Sequence, residues 1–265
     1  MSVLSIRDLY KEIGKNIFIH PLKIDNIKAN TINLTASKFA WSVKANDSIC
    51  NDGKIIKIEP NDTALIYTKE AIYVTRKIGG TYHSKVSLVS KGLGHIGTTL
   101  DPEYLGLSLI AVHNHSGKAF ELKVGSTFVS LMFHYLKTPT FAVSHNNVPG
   151  QIGILQGYDN TSDFENWKNE HDWINEQRKL KKKMRGSNEY NEMKKYLKDI
   201  KFEEWKLIYL LFNHRVTKWF IFSVLIVVMM AIYYYFNSVI PIELSVVIVS
   251  LFGMFILYEI RDYYK

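Results

Sequence analysis

The hydrophobic residues between positions 17 and 156 fall into short runs rich in β-branched and aromatic side chains. Runs such as IFIHPL, INLTA, FAWSV, KIIKI and FVSLMFHYL are separated by Asn, Asp, Gly and Pro, residues that end strands and build turns. This pattern predicts a mainly β domain, either a barrel or a sandwich. Before it, Ile6, Leu9 and Ile13 recur at helical spacing behind Ser5, which predicts a short capped helix.

The composition changes after about residue 160. Residues 163–201 are rich in Lys, Glu, Asn and Arg and contain one Gly and no Pro, which favours exposed helix. We therefore predict a first domain over residues 1–160 and a charged helical stalk over residues 161–215. Apolar residues at three-four spacing in the stalk are Tyr190, Met193, Leu197 and Ile200. Two interpretations remain open, a short coiled-coil seam and a helix solvated on all sides.

Two apolar segments follow the stalk. Residues 219–236 carry no charge and with their flanks approach the roughly 20 residues that span a bilayer. Residues 239–260 carry Glu243 and Glu259 near their two ends, where carboxylates reach the headgroup region. The short connection predicts a hairpin of two transmembrane helices over residues 216–265.

Charge predicts the orientation of this hairpin. Lys and Arg precede the first apolar segment and follow the second, and the turn contains neither. By the positive-inside rule, the N-terminal domain and the C-terminus are both expected on the cytoplasmic side of the cell membrane. The formal net charge is +8, and much of it lies in the run Arg178–Arg185. We predict that this run contacts the lipid bilayer, and no nucleic-acid partner is expected.

The stretch Gly80–Asn114 carries the most informative motifs. It contains HSKVSLVSKGL followed by LDPEYLG, and this order resembles the dCTP deaminase and dUTPase superfamily. In that superfamily the first motif binds phosphates and the second carries the nucleoside pocket. The opening residues look like the deaminase branch, and the resemblance covers residues 2–140. It implies a dUTPase-like β-barrel, a distorted jelly roll, that assembles into homotrimers with pockets between subunits.

The resemblance also implies a set of nucleotide-binding residues. Asp101 matches the Asp that positions the attacking water in dUTPases, so it is the predicted catalytic residue. The predicted substrate-binding residues are Ser84, Lys85 and Lys91 for the phosphates, Tyr104 for the sugar, Thr98 and Thr99 for the pyrimidine edge, and Asn114 at the end of the following strand. Mg²⁺ accompanying the nucleotide phosphates is the one expected cofactor. No metal site built by the protein is predicted, although His113 and His115 alternate along one strand.

Several positions depart from the family pattern. The deaminase branch has a general acid-base Glu three residues before the Asn, and this chain has Ala111 there, which cannot transfer a proton. His83 stands where the phosphate motif begins with Arg, and Ser130 where a phosphate-binding Gln is usual. The glycine-rich arm that closes many dUTPases is also missing.

Three functional interpretations remain open. The first is a signalling protein that senses a deoxypyrimidine or related nucleotide and couples it to the membrane hairpin. The second is a membrane-tethered, Mg²⁺-dependent dUTP pyrophosphatase that uses Asp101, with dCTP deamination ranked lower because of Ala111. The third is a structural membrane protein that docks a partner. The sequence decides neither the nucleotide nor whether the hairpin is an anchor or a pore.

Overall fold

A computed structural model describes residues 2–95, 97–141 and 153–199 and the single positions 224, 228 and 235. The chain divides into two compact units, Met1–Asp199 and Ile200–Lys265. Almost all of the predicted hairpin therefore lies outside the described residues. Within the part that is described, no helix combines the length and apolar character needed to cross a membrane.

The first unit is mainly β, as the sequence predicts, with helices before and after the strands. Its strands are β1 (Ser2–Val3), β2 (Ile17–His20), β3 (Thr31–Ser42), β4 (Asp47–Ser48), β5 (Ile55–Ile58), β6 (Thr63–Val74), β7 (Ile78–Ser84), β8 (Leu93–His95), β9 (Thr99–Leu100), β10 (Leu105–Asn114), β11 (Phe120–Lys123) and β12 (Thr127–Tyr135). Its helices are α1 (Ile6–Glu12), α2 (Val86–Val89), α3 (Ser162–Glu170), α4 (Gln177–Arg185) and α5, described over 188–199, with short 3₁₀ turns at Ile24–Asn26 and Asp172–Ile174.

Most strands belong to one antiparallel sheet with the order β8-β10-β6-β3-β12-β7-β9. Strands β1, β2 and β4 pair with β12, β6 and β3, and β5 and β11 form a separate pair. The sheet is curled, because Ser84 of β7 lies 2.6 Å from the His95 ring of β8 although these strands are near opposite ends of the order. The barrel predicted from the sequence is thus a curled half-barrel, closed at this seam by side chains.

Two long strands differ from the short runs that the sequence suggests. The runs INLTA and FAWSV form one 12-residue strand, β3, and ALIYT and AIYVT form the equally long β6. Both strands are buried at nearly every position, so they lack the polar alternation that marks a strand with one face in water. Sheet pairing on both sides of β6, by β10 and β3, keeps it continuous across its polar centre.

The opening helix confirms the predicted cap. The Ser5 hydroxyl accepts the backbone N–H of Asp8, and the Asp8 carboxylate accepts the backbone N–H of Ser5 at 3.2 Å. This reciprocal pair satisfies two amides that the first helical turn leaves without partners. Leu9 and Ile13 are buried in the core, whereas Ile6 is 39% exposed. The helix therefore packs with a narrower apolar face than the spacing alone predicts.

The segment predicted as a stalk packs against the sheet over the residues described. Phe164 of α3 is buried and stacks on Tyr67 of β6 with ring centroids 4.3 Å apart. Leu180 and Met184 of α4 are fully buried, and the Met184 sulfur accepts the Ile19 backbone N–H at 3.2 Å. Residues 162–199 are accordingly part of the first compact unit. The boundary at residue 160 and the exposed stalk are corrected, because a few apolar side chains in a charged segment suffice to anchor it.

Helix α5 shows why the three-four spacing is present. Tyr190 and Met193 are buried in the same core as the strands. Gly14 has a φ of +90°, and a Cβ atom there would collide with the Tyr190 ring. The described part of this apolar stripe therefore packs on its own domain, which replaces both the coiled-coil and the fully solvated interpretations.

Candidate functional site

The segment Asp101–Tyr104 forms a tight turn that presents a carboxylate to solvent. The Tyr104 backbone N–H donates to the Asp101 carbonyl at 3.1 Å. Pro102 follows Asp101, and Glu103 has a φ of +64°, a combination typical of a type II turn. Glycine usually occupies the third position of such a turn, since a left-handed conformation costs an L-residue about 1–2 kcal/mol. Glu103 also pairs with Arg76 at 2.8 Å, which ties the turn to the neighbouring loop.

Tyr104 connects this turn to the core. Its ring is half-buried against the hydrophobic core, and its hydroxyl donates to the Leu107 carbonyl. Its own carbonyl accepts the backbone N–H of Val74. These contacts fix the ring directly after the exposed Asp101, so that the carboxylate and the aromatic side chain have a defined relative position.

Strand β9 brings the two predicted threonines to the same surface as Asp101. Thr99 pairs with Thr81 of β7, and the Thr98 carbonyl accepts the backbone N–H of Tyr82 at 2.9 Å. Thr98, Thr99 and Asp101 are all exposed, and the Thr99 hydroxyl donates to the Asp101 carboxylate at 3.4 Å. The structure therefore places these residues together on the edge of the sheet beside β7.

Ser84 lies further along β7, three residues beyond Thr81. At about 3.3 Å per residue this separation is about 10 Å along the strand. The Ser84 Oγ lies 2.6 Å from His95 Nδ1 and accepts the His95 backbone N–H at 3.1 Å. Burial lowers the pKa of His95, which favours its neutral form. The sequence does not reveal His95 as a partner of Ser84, because the two residues meet only through the curl of the sheet.

Positive charge surrounds Ser84. Lys85 follows it and is half-buried, and its pKa is lowered first by burial and then by the nearby Lys28 ammonium. Lys91 is exposed in the loop between α2 and β8. Two lysines with a serine hydroxyl between β7 and β8 form a surface suited to anionic oxygens such as those of a phosphate.

A buried polar network supports the site from below. The Tyr82 hydroxyl lies 2.5 Å from the Ser108 hydroxyl, and the Ser108 backbone N–H donates to Thr68 at 3.0 Å. Burial raises the pKa of Tyr82, and the neighbouring Tyr104 adds to the shift. Next to Thr68 on β6, the Glu70 carboxylate accepts the backbone N–H and the hydroxyl of Thr35. The network joins β7, which carries part of the site, to β10, β6 and β3.

The positions that depart from the family pattern have ordinary structural contacts. Ala111 is half-buried on β10, opposite Leu65 of β6, and supplies only a methyl group. The His83 ring lies 2.9 Å from the Thr81 hydroxyl, and its strand partner Ser130 donates to the Asn33 side chain at 2.7 Å.

Asn114 ends strand β10, and its side chain is engaged within the chain. It is fully buried, and its amide nitrogen donates to the carbonyls of Ile58 and Lys118 at 2.9 and 2.8 Å. Its side-chain oxygen accepts both the backbone N–H and the hydroxyl of Ser116. The side chain holds the loop after β10 against the end of β5. Its side-chain polar atoms are engaged within the chain, and a role of Asn114 in ligand binding stays a prediction.

The remaining predicted residues form an open surface within a single chain. A cavity of about 310 Å³ lies instead between residues 155 and 165, and none of the predicted site residues lines it. Across the described ranges, no group of three His, Cys, Asp or Glu side chains is placed to hold a metal. Mg²⁺ bound mainly to nucleotide phosphates and water requires few protein ligands, and Asp101 is the carboxylate available here.

Known proteins resemble this chain over its first half. No family model matches it. A dCTP deaminase from Pyrococcus horikoshii is 27% identical over 144 residues, which are 54% of this chain and 92% of the deaminase. A deoxyuridine 5'-triphosphate nucleotidohydrolase from Buchnera aphidicola is 30% identical over 107 residues, which are 37% of this chain and 68% of that enzyme.

Among solved structures, the dCTP deaminase from Agrobacterium tumefaciens is 11% identical and covers 49% of this chain and 48% of its own, with a TM-score of 0.41. The sequence matches, which cover 92% of the Pyrococcus deaminase and 68% of the Buchnera nucleotidohydrolase, agree with the order of the two motifs between Gly80 and Asn114. On these grounds, the chain belongs to the dCTP deaminase and dUTPase superfamily.

Proposed function

We propose that this chain binds a deoxypyrimidine or related nucleotide on the surface formed by β7, β9 and the Asp101–Tyr104 turn. One observation carries the proposal: the turn presents an exposed carboxylate beside an anchored tyrosine, and the adjoining strand β9 pairs with β7, which ends at Ser84. The relatives act on deoxypyrimidine triphosphates by name, which supports this class of ligand. The exposure of Thr98, Thr99 and Asp101 supports a homotrimer in which a second copy covers the site.

We further propose that the protein is a membrane-tethered sensor. Residues 216–265 form the transmembrane hairpin and hold the β domain and the C-terminus on the cytoplasmic side of the cell membrane. Nucleotide binding changes the packing of the hairpin helices. Ala111 supports binding without deamination, because a methyl group cannot shuttle the proton that deamination requires.

Hydrolysis of dUTP to the monophosphate and pyrophosphate is the second candidate. The exposed Asp101 carboxylate favours it, since a carboxylate that accepts a water proton can orient that water towards a phosphorus atom. The nucleotide brings its own Mg²⁺ in this scheme, and the ion screens phosphate charge. The protein's part is to hold the sugar against Tyr104 and the phosphates against Ser84 and the lysines.

The first experiment incubates the full chain, reconstituted in nanodiscs, with a panel of deoxynucleoside and nucleoside triphosphates. Thermal stabilisation reports binding, and chromatography reports products. We expect a deoxypyrimidine nucleotide to raise the melting temperature, and Asp101→Ala to abolish that rise. Asp163→Asn, which alters an exposed carboxylate of α3, is the control and should bind normally.

The products separate the candidates. Stabilisation without turnover supports the sensor, while pyrophosphate release that is lost in Asp101→Asn supports the hydrolase. Ammonia release would contradict both the sensor and the hydrolase. If no nucleotide stabilised the protein or was converted, the binding proposal would be wrong, and a partner-docking role would replace it.

A further inference from the structure

Helix α4 carries the densest positive charge in the described part of the chain. Six of its nine residues are Lys or Arg, and none is acidic. The formal net charge of the whole chain is +8, so this single helix holds a large part of the excess. In a flexible segment such a run would be a solvated linker. On a helix that is fixed to a folded domain, it can form a binding surface.

The helix is fixed to the β domain. Leu180 and Met184 are fully buried, and the Met184 sulfur accepts the backbone N–H of Ile19 on β2. The Arg185 guanidinium donates to the Gly14 carbonyl at 3.1 Å. The cations of α4 therefore have a fixed orientation relative to the β domain. A ligand or surface that binds them also fixes the orientation of the β domain relative to itself.

Some of these cations are already engaged by the domain. Lys179 pairs with Asp172 at 2.5 Å and with Glu176 at 2.7 Å. The Lys181 ammonium lies over the rings of Phe18 and Tyr73, 4.7 and 4.8 Å from their centroids. These contacts hold two of the six charges close to the protein surface.

The four remaining cations are exposed, although Arg185 donates to the Gly14 carbonyl and lies over the Phe18 ring, 5.5 Å from its centroid. Arg178, Lys182, Lys183 and Arg185 are exposed, and none of them forms an ion pair with any residue that the structure describes. Arg178, Lys182 and Arg185 follow each other at intervals of four and three residues, which places them in one stripe along the helix. Lys183 lies beside this stripe, over the buried Trp173 ring at 5.3 Å. The stripe is a positively charged surface whose cations form no salt bridge within the described residues, although the Asp172 carboxylate lies close enough to the neighbouring Lys183 for the two charges to interact.

We propose that this stripe binds the anionic headgroups of a phospholipid bilayer and so sets the orientation of the β domain, with the α4 and β2 side towards the membrane. The inference rests on the membrane tether proposed above, which brings the domain close to lipid. Clusters of four to eight Lys or Arg near a membrane span are attracted to anionic leaflets. Single-stranded nucleic acid would need exposed aromatic rings for stacking, whereas lysine side chains cover the nearby Phe18, Tyr73 and Trp173.

The test measures how fast individual lysines of the full chain react with an acetylating reagent. The chain is reconstituted in nanodiscs of phosphatidylcholine alone or of phosphatidylcholine mixed with phosphatidylglycerol, and mass spectrometry gives the rate at each lysine. We expect Lys182 to react severalfold more slowly in the anionic discs, and added salt to restore its rate because salt screens surface charge. Exposed lysines elsewhere, Lys44 and Lys118, should react equally in both discs.

A pair of charge variants tests the assignment to the stripe. Arg178→Gln with Lys183→Gln should remove most of the protection of Lys182, because each surface cation strengthens anionic-lipid binding about fivefold. Lys44→Gln with Lys69→Gln changes the net charge equally and should leave the protection intact. Nucleotide binding is measured in the same samples. Because it is read out separately from the lysine acetylation rates, a failure of the proposed nucleotide binding can be told apart from a failure of the proposed lipid binding.

Three results would overturn the inference. One is equal reactivity of Lys182 in both discs, another is protection that survives the α4 variant, and the third is protection by RNA but not by anionic lipid. If the chain did not enter nanodiscs, the tether itself would be wrong. The same labelling with anionic vesicles added to the full chain would then decide whether α4 still binds lipid.

Discussion

Glu70 is a carboxylate in the interior of the β domain, with only Thr35 as its side-chain partner. It is 3% exposed and accepts the Thr35 backbone N–H at 2.9 Å and the Thr35 hydroxyl at 2.6 Å. Burial raises its pKa above the ordinary value of 4.5, and the Thr35 hydrogen bonds only partly offset this effect. At the scale of residues, the protonation of this one carboxyl group in the buried network affects the free energy of unfolding.

The raised pKa predicts how stability depends on pH. Because the folded protein holds this proton more tightly than the unfolded chain does, the contribution of Glu70 is fully present below the unfolded pKa and is lost as the pH rises through the folded pKa. Relative to Glu70→Gln, the free energy of unfolding should therefore fall as the pH rises above 4.5. Urea unfolding across a pH series measures it, with the exposed Glu121→Gln as control. Parallel profiles of wild type and Glu70→Gln would contradict the prediction.

His95 is the second residue with a testable role. The Ser84 hydroxyl accepts the His95 backbone N–H at 3.1 Å, donates to the His95 carbonyl at 3.4 Å and lies 2.6 Å from the ring Nδ1, so His95 fixes the position of this hydroxyl beside the proposed phosphate site. His95→Asn keeps a donor near the Nδ1 position, whereas His95→Phe removes it. We expect the phenylalanine variant to weaken nucleotide binding about fivefold, the effect of one hydrogen bond, and the asparagine variant to bind nearly normally.

Calorimetry with Ser84→Ala and the double variant completes this test. The effects of Ser84→Ala and His95→Phe should not add, because both remove the same interaction. Additive losses, or equal losses in the Asn and Phe variants, would show that His95 acts on the fold and not through Ser84.

At the scale of elements, α3 is attached to the sheet by aromatic side chains, of which Phe164 is the most deeply buried. Phe164 is 2% exposed and lies 4.3 Å from the Tyr67 ring centroid and 5.0 Å from that of Phe39. Trp167 of the same helix packs on Phe39 with ring centroids 5.2 Å apart, but it is only partly buried. Phe164 therefore contributes the largest share of the packing of α3, and its removal should weaken this helix most.

Phe164→Ala should therefore lower the free energy of unfolding by about 3–5 kcal/mol, the usual cost of removing a buried phenylalanine ring. Denaturant titration of the full chain in detergent measures the change. Phe141→Ala is the matched control, since that ring is 92% exposed, and it should alter stability little. Equal effects of the two substitutions would mean that α3 is not anchored through Phe164.

At the scale of the whole molecule, the compact unit reaches residue 199. A fragment that stops at residue 160 loses the buried side chains of the segment that follows, which are Phe164, Trp173, Ile174, Leu180, Met184, Tyr190 and Met193. Their removal exposes the faces of β2, β3 and β6 that they cover.

We expect a fragment of residues 1–199 to unfold cooperatively and a fragment of residues 1–160 to melt at a clearly lower temperature or to aggregate. Thermal unfolding followed by circular dichroism, together with size-exclusion chromatography, measures both properties. A third fragment, 1–199 with Tyr196→Ala at an exposed position, controls for small changes near the new C-terminus. Indistinguishable melting of 1–160 and 1–199 would contradict the extended domain boundary.

The predictions from sequence succeed where a feature depends on neighbouring residues. The Ser5 cap needs only the side chain three residues on, and the Asp101 turn needs only Pro102 and the residues beside it. The curl of the sheet, the partner of Ser84 and the position of Asn114 depend on residues distant in sequence. Ser84 and His95, for example, are 11 residues apart and meet across the seam between β7 and β8.

The sequence by itself therefore determined the mainly β character, the opening helix, the order of the two nucleotide motifs and the superfamily. Tertiary structure alone decided that β3 and β6 are continuous, that the Asn114 side chain bonds to the loop after β10 and to the end of β5, and that the charged segment after residue 160 is part of the domain. The physical reason is burial. Local patterns report which residues favour a strand, helix or turn, but only the packed fold shows which apolar faces find partners and which charges remain in solvent.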